Sequence, residues 1–255
     1  MIRVGVLGAA GKMGRLVCAA VDGDEGLELV AAVNPGQGGQ RVGHVPVSEA
    51  LDAVEEAAVQ VGVDFTQPDA VMGNVKWLVD HGIHAVVGTT GIGPDRLEEI
   101  RGWLAGRPDV GVIVAPNFSV GAVVAQRLAE EAATFFPAAE VIELHHDRKV
   151  DAPSGTAAAT ARRIAAARKE AWGGPSGGEA YRGGDVDGVR VHSVRLPGLV
   201  AHQEVIFGAQ GQTLTIRHDA PDRSCYLPGV LLAVREVGRR PGLTVGLEPL
   251  LGPSA

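Results

Sequence analysis

Short apolar runs alternate with amphipathic stretches through the first half of the chain. The apolar runs predict buried β-strands at residues 3–7, 28–33, 61–65, 84–87 and 111–115. The amphipathic stretches predict helices at residues 12–21, 69–79 and 94–104. In the second of these, Val71, Val75, Leu78 and Val79 share one helix face. Strands that alternate with helices in this order are typical of a parallel sheet with crossover helices.

The pattern changes after Asn117. Helices are predicted at residues 120–135, from Ser154 to about 169, and at 227–237. Strands are predicted at residues 140–144, 189–196, 201–207, 213–218 and 243–245, and the middle three alternate as antiparallel strands do. A Gly-rich polar loop occupies residues 173–188. We therefore expect an α/β fold. Its Rossmann-like, doubly wound parallel sheet domain takes residues 1–118 and 229–255, and an inserted α+β domain for substrate binding and oligomerisation takes residues 119–228.

A glycine-rich loop joins the first predicted strand to the first predicted helix. It reads Gly8-Ala9-Ala10-Gly11-Lys12-Met13-Gly14. This G-x-x-G-x-x-G spacing is a relative of the dinucleotide fingerprint, in which glycines admit a tight turn and the pyrophosphate meets the helix N-terminus. Any tight turn can carry such glycines, but the position after the first strand predicts a nicotinamide dinucleotide site in the N-terminal half.

The end of the second predicted strand usually selects between NADH and NADPH. An acidic residue there binds the ribose 2′-hydroxyl and repels a 2′-phosphate. This chain has Asn34 at that place, and no carboxylate. Nearby candidates for a phosphate partner are Lys12, Arg15 and Arg41, which are otherwise solvated surface charges.

Two further loops follow predicted strands at the edge where doubly wound sheets bind ligands. They are Gly88-Thr89-Thr90-Gly91 and Ala115-Pro116-Asn117-Phe118. Their backbone groups are candidates to meet a nicotinamide or ribose. As isolated signals they are equally compatible with simple turns.

The residues richest in chemistry follow the strand predicted at 140–144. They run His145-His146-Asp147-Arg148-Lys149, and Ser154-Gly155-Thr156 then begins a helix. Cations beside free helix N–H groups form an anion site, and a histidine suits general acid catalysis at neutral pH. The alternative is a basic surface loop before a capped helix. A zinc site is disfavoured because adjacent histidines rarely converge on one ion and no third ligand is placed.

Composition excludes several other classes of protein. The formal net charge is −7, which does not suggest a nucleic-acid surface. No apolar run approaches the ~20 residues of a membrane helix, and the N-terminus lacks the features of a signal peptide. Cys18 and Cys225 have no metal or redox spacing. We expect a soluble cytoplasmic enzyme with no membrane or nucleic-acid partner and no metal.

The run from His145 to Ala157, His-His-x-x-Lys-x-Asp-Ala-Pro-Ser-Gly-Thr-Ala, resembles the signature of the dihydrodipicolinate reductase family, also called 4-hydroxy-tetrahydrodipicolinate reductases. Other matching segments are Gly8–Gly14, Asp64-Phe65-Thr66, Gly88–Gly91, Ala115–Phe118 and Val200-Ala201-His202-Gln203-Glu204-Val205. The resemblance spans essentially the whole chain and is closest to actinobacterial members.

This resemblance implies reduction of a cyclic imine dicarboxylate, with loss of water, on the path to diaminopimelate and lysine. By position, it makes His145 the proton donor and Lys149 its cationic partner. The expected substrate carboxylate contacts are His146, Ser154, Gly155 and Thr156. It also implies a homotetramer built through the substrate domain. Because Asn34 stands where many members have an acidic residue, we expect use of both NADPH and NADH. Ala10 stands where some actinobacterial members have a basic residue, so we expect part of their phosphate contact to be lost here.

Two other hypotheses compete with this one. Another two-domain dehydrogenase, such as a homoserine or aspartate dehydrogenase, would share the first domain but lack the His145–Thr156 run. A dinucleotide-sensing regulator would carry a basic DNA-binding element, and none is visible in the sequence.

Overall fold

The computed structural model describes residues 1–168 and 181–252. The chain divides into two compact units, the first made of Met1–Ser119 with Tyr226–Ala255 and the second of Val120–Cys225. The strands in the described part are β1 (Ile2–Leu7), β2 (Leu27–Val33), β3 (Arg41–Val42), β4 (Val45–Ser48), β5 (Val61–Asp64), β6 (His84–Val87), β7 (Gly111–Val114), β8 (Ala138–His145), β9 (Gly184–Val186), β10 (Val189–Arg195), β11 (Ala201–Ala209), β12 (Gln212–Ala220) and β13 (Gly242–Val245). The α-helices there are α1 (Lys12–Asp22), α2 (Asp52–Glu56), α3 (Val71–Asp80), α4 (Pro94–Leu104), α5 (Val120–Ala133), α6 (Gly155–Ala167) and α7 (Leu227–Val237).

The first unit is built on a sheet with the order β13-β7-β6-β5-β1-β2-β4-β3. All neighbours are parallel except β3, which pairs antiparallel with β4 at the edge. Strands β5 and β7 are buried along their whole length, as expected for a sheet covered on both faces. The predicted doubly wound parallel sheet is confirmed. From β1, the chain first adds β2 on one side of the sheet and later adds β5 on the other side. Ligands of such sheets bind at the point where the strand order reverses in this way, which here is at β1.

The second unit has a five-stranded sheet with the order β12-β11-β8-β10-β9. Small residues of α5 and α6, such as Ala129 and Ala161, pack with Val141 of β8 and Phe207 of β11 in one buried cluster. The expectation that residues 189–196 would pair antiparallel is wrong for the contact with β8, since β10 runs parallel to it. Helix α6 lies between β8 and β10 in sequence, and a helical crossover returns the chain in the same direction. Alternation of apolar and polar positions reports a half-buried strand but not its direction.

Several short elements depart from the predicted pattern. Three elements, β3, β4 and α2, were not predicted, and they are two to five residues long. Of the predicted loop 173–188, residues 173–180 lie outside the described part, and Gly184–Val186 form β9 in a hairpin with β10. Helix α6 ends at Ala167, while residue 169 also lies outside the described part. Among the described residues, no helix has the length and apolar character needed to cross a membrane.

Candidate active site

The loop after β1 has the geometry of a dinucleotide cradle. Gly8 has a φ of +78°, and a Cβ there would lie 2.5 Å from the carbonyl oxygen of Phe65. A Cβ on Gly14 would lie 2.0 Å from the carbonyl oxygen of Gly8. Only glycine therefore fits at either position. No side chain caps α1 at Gly11 in the structure as described, so the first amides of the helix are available to an anion. These features fit a bound pyrophosphate.

Asn34 follows β2 and contacts this loop directly. Its side-chain oxygen accepts a hydrogen bond from the amide of Ala10 at 3.2 Å, and its Nδ2 donates to the carbonyl of Pro35 at 3.3 Å. Arg15 lies on the other side of Ala10: Nε donates to the Ala10 carbonyl, and Nη2 donates to Gln40, each at 3.0 Å. Of the three predicted cations, Arg15 is thus the one placed against the loop beside Asn34.

The other two cations are placed differently. The guanidinium of Arg41 donates to the carbonyl of His44, within the β3–β4 turn. Lys12 is exposed in the first turn of α1.

The loops after β5 and β6 are joined through a buried carboxylate, Asp64. Asp64 accepts hydrogen bonds from Thr66 and Asn74, each at 2.7 Å, and from the hydroxyl of Thr89 at 2.6 Å. The Thr89 side chain is therefore committed to holding its loop on β5. Thr90 is exposed and Gly91 has a φ of +89°, which closes the turn.

Two aromatic rings support the same edge of the sheet. Phe65 and Phe118 lie with their ring centroids 5.9 Å apart, and Phe118 is buried. A Cβ on Gly88 would lie 2.2 Å from the Phe65 ring. The side chain of Asn117 accepts a hydrogen bond from the amide of Ser119 at 2.9 Å, which fixes the turn after Ala115 and Pro116.

In the second unit, His145 ends β8 with its ring held by Glu143. The Nδ1 atom of His145 lies 2.5 Å from Oε2 of Glu143, which is fully buried, while the His145 side chain keeps 15% exposure. Arg195 of β10 donates to both Glu143 oxygens, at 2.9 and 2.7 Å. The amide of Ser154 donates to the same carboxylate at 3.1 Å. An ionised carboxylate is thus hydrogen-bonded to the Nδ1 side of the histidine ring.

The charge of Glu143 is secured by these partners. Burial opposes its ionisation, but hydrogen bonds from His145, Arg195, Ser193 and the Ser154 amide outweigh that effect and lower the pKa of Glu143 to about 2. The carboxylate is therefore negative throughout the neutral range.

The loop beyond His145 places the remaining predicted residues. Lys149 donates to both carboxylate oxygens of Asp151 at 2.8 Å, and this ammonium lowers the pKa of Asp151. No hydrogen bond or ion pair among the described residues joins Lys149 to His145. In His146, Nδ1 is buried without a hydrogen-bond partner in the described part of the chain.

The N-terminus of α6 lies just beyond this loop. Ser154 caps the helix, since its hydroxyl oxygen accepts from the amide of Ala157 at 3.2 Å. A Cβ added to Gly155 would meet nothing within 4 Å, so the space beside the first turn is open. The Gly155 and Thr156 amides lie in the turn where helix N–H groups have no intrahelical acceptor.

Comparison with known proteins assigns the family. The model described as "Dihydrodipicolinate reductase, N-terminus" matches residues 2–118, and the model for the C-terminus of the same enzyme matches residues 121–251. The chain belongs to the dihydrodipicolinate reductase family. A curated 4-hydroxy-tetrahydrodipicolinate reductase of Nocardia farcinica (strain IFM 10152) is 60% identical over 256 residues, which cover 98% of each chain. One of Mycobacterium sp. (strain KMS) is 53% identical over 254 residues, 98% of this chain and 99% of the relative.

A solved structure agrees with the assignment. A dipicolinate-bound dihydrodipicolinate reductase from Paenisporosarcina sp. TG-14 is 38% identical, with a TM-score of 0.87 over 98% of this chain and 99% of that one. These comparisons confirm the predicted family, fold, enzyme class and reaction, and with them a nicotinamide cofactor.

Sequence reasoning missed two residues of the hydrogen-bonded cluster at His145, namely Glu143 and Arg195. The signal for Glu143 was present, because residues two apart on a strand face the same side of the sheet and His145 was already singled out. Arg195 stands opposite His145 in the β8–β10 register. That register became readable only once the parallel pairing was known.

Proposed function

We propose that His145 is the proton donor when this reductase converts 4-hydroxy-tetrahydrodipicolinate to tetrahydrodipicolinate, with loss of water. The observation that carries the assignment is the buried Glu143 carboxylate behind the partly exposed ring of His145. A partly exposed imidazole held in place by a carboxylate is suited to general acid catalysis. When bound, the nicotinamide supplies the hydride, and the chain supplies the proton.

The substrate carboxylates bind at the start of α6. A Cβ on Gly155 would meet nothing within 4 Å, so there is open space beside this helix N-terminus, where the helix dipole at Gly155 and Thr156 favours an anion. Ser154 holds that turn in place, and His146 and Lys149 add donors and positive charge. The relative that binds dipicolinate, a planar dicarboxylate, supports this class of ligand. A substrate carboxylate competes with Asp151 for the Lys149 ammonium.

The coenzyme binds along the carboxyl edge of the first sheet, and both NADPH and NADH are used. The residues assigned to it are Gly8, Ala9, Ala10, Gly11, Lys12, Met13, Gly14, Asn34, Gly88, Thr89, Thr90, Ala115, Pro116, Asn117 and Phe118. The uncharged side chain of Asn34 supports dual use, because nothing at the end of β2 repels a 2′-phosphate. Arg15 is the cation best placed to attract one.

We assign residues 1–118 and 229–255 to coenzyme binding, and residues 119–228 to substrate binding and tetramer formation, in a cytoplasmic enzyme. Strand β12 supports assembly through the second sheet. It is nine residues long, lies at the edge of its sheet and is exposed along its first half. An unpaired edge of that length is a template for association.

The test is a coupled assay. Purified protein receives the product of the preceding synthase, formed in place from aspartate semialdehyde and pyruvate, together with NADH or NADPH. We expect oxidation of both coenzymes, with catalytic efficiencies of the same order, and only when the synthase is present. Absence of synthase-dependent oxidation with either coenzyme would refute the proposed reaction.

A further inference from the structure

The Glu143 carboxylate accepts hydrogen bonds at both of its oxygens from two directions. Oε2 receives Nδ1 of His145 and Nη1 of Arg195, while Oε1 receives Nη2 of Arg195 and the amide of Ser154. Guanidinium and amide groups only donate, so Glu143 must present lone pairs at both oxygens. These hydrogen bonds also lower the pKa of Glu143 to about 2, so at neutral pH it is a carboxylate with no proton to give, and Nδ1 of His145 must be the protonated partner in their contact.

We propose that Glu143, held in place by Arg195, is a positioning residue that fixes the tautomer of His145 and makes Nε2 the atom that gives up the proton. This inference rests on the proposed role of His145 as the proton donor. In the donating step, the Nε2–H bond of the doubly protonated ring breaks and the proton passes to the substrate. The electron pair stays on Nε2, and the Nδ1–H bond to Glu143 is kept throughout.

Arg195 also binds the loop that follows β8. Besides Glu143, its guanidinium donates to the carbonyl of Lys149 at 3.2 Å and to the carbonyl of Asp151 at 2.6 Å. One planar group therefore sets both the histidine ring and the path of the loop that carries Lys149. A lysine ammonium lacks this fork of five donors, so Arg195→Lys cannot reproduce the arrangement although it keeps the charge.

The same strand offers a matched control. Glu140 of β8 also binds a histidine and an arginine, with His192 Nε2 at 2.8 Å and Arg182 as its second partner. This trio resembles the Glu143 trio in chemistry but does not touch His145. Glu140→Gln therefore removes a comparable carboxylate without disturbing the proposed proton donor.

The experiment measures kcat and KM for Glu143→Gln, Arg195→Lys and Glu140→Gln in the intact enzyme. A glutamine at 143 must turn an NH2 group toward one pair of donors, so we expect kcat to fall roughly 10- to 100-fold, as when a carboxylate that orients a functional histidine is removed. The KM should stay within about threefold, because Glu143 itself does not touch the substrate and the Ser154 hydroxyl still caps α6. Arg195→Lys should also lower kcat, and Glu140→Gln should leave kcat unchanged.

A second measurement needs no variant of Glu143. In the 15N-histidine spectrum of the wild-type enzyme at alkaline pH, assigned with His145→Gln, we expect Nδ1 of His145 to be protonated and Nε2 to carry no proton. The opposite tautomer would overturn the inference, as would wild-type kcat in Glu143→Gln. If His145→Gln itself keeps wild-type kcat, the proposed role of His145 fails instead, and the two failures are thus distinguishable.

Discussion

The side-chain oxygen of Asn34 accepts a hydrogen bond from the amide of Ala10, which ties the end of β2 to the glycine loop after β1 at 3.2 Å. Because that oxygen is engaged and one N–H of Nδ2 donates to the Pro35 carbonyl, the second N–H of Nδ2 is the part of the side chain left to meet a coenzyme ribose. A hydrogen-bond donor at this place suits a 2′-phosphate as well as a 2′-hydroxyl.

Asn34→Asp should shift preference toward NADH. The aspartate can keep one oxygen on the Ala10 amide and turn the other, negatively charged, toward the ribose. At a partly solvated site this is worth about 1 kcal/mol, so the ratio of kcat/KM for NADPH to that for NADH should fall about fivefold. The control Asn34→Ala loses the loop contact without adding charge and should leave the ratio near the wild-type value. A wild-type preference for NADH of about a hundredfold, or a ratio that does not move in Asn34→Asp, would contradict this account of coenzyme choice.

Arg15→Ala should raise the KM for NADPH more than that for NADH, by up to about fivefold, and less at higher salt. The reason is the contact of Arg15 with the Ala10 carbonyl, which holds its charge beside Asn34. Arg41→Ala is the matched control, since it removes the same charge from a side chain bonded to His44. If the two variants changed the ratio of the KM for NADPH to the KM for NADH equally, Arg15 would have no specific role in binding the 2′-phosphate.

Gly14→Ala should abolish tight coenzyme binding and destabilise the first unit by about 1–3 kcal/mol. The added Cβ would lie 2.0 Å from the Gly8 carbonyl oxygen and 2.8 Å from the Ala9 Cα, and both are backbone atoms that cannot rotate away. Gly73→Ala in α3 is the control: nothing lies within 4 Å of its Cβ, so it should stabilise the protein by roughly 0.5–1 kcal/mol. Coenzyme titration and thermal unfolding of both variants test the pair. Near-normal NADH affinity in Gly14→Ala would mean that the loop is not the cradle.

Glu143 should make the enzyme sensitive to acid. Its pKa falls from the ordinary 4.5 to about 2 on folding, because hydrogen bonds outweigh burial. A carboxyl with a lowered pKa stabilises the fold fully above its unfolded pKa, and that contribution is lost as the pH falls from about 4.5 toward 2. The urea midpoint of the wild type should therefore exceed that of Glu143→Gln at neutral pH, with the gap narrowing below pH 4.5. If the urea midpoints of the wild type and of Glu143→Gln fell in parallel as the pH dropped, Glu143 would not be the group responsible for the loss of stability in acid.

Much of this architecture was predictable because its periodic signals are strong. Helices α4 and α7 match the residues expected from pattern alone, and the buried strands of the first sheet fall within about two residues of prediction. The short β3, β4 and α2 carry too few residues for a period to emerge. The direction of β10 depended on tertiary pairing rather than on its own sequence.

The candidate site was likewise predictable from local sequence only in part. His145 and the start of α6 are local features, visible as a run of residue types. The pairing of Arg195 with Glu143 joins residues 52 positions apart, and no local pattern distinguishes this arginine from others in the chain. Only the sheet register brings the two side chains together.

The most direct test of the account is the turnover of His145→Gln. A general acid contributes typically ~10²–10⁴-fold, so kcat should fall by about that factor. Binding of pyridine-2,6-dicarboxylate, measured by calorimetry in the presence of coenzyme, should stay close to wild type because it depends on the α6 N-terminus rather than on the proton. A kcat reduced less than about threefold in a folded enzyme would contradict the assignment of His145 as the proton donor.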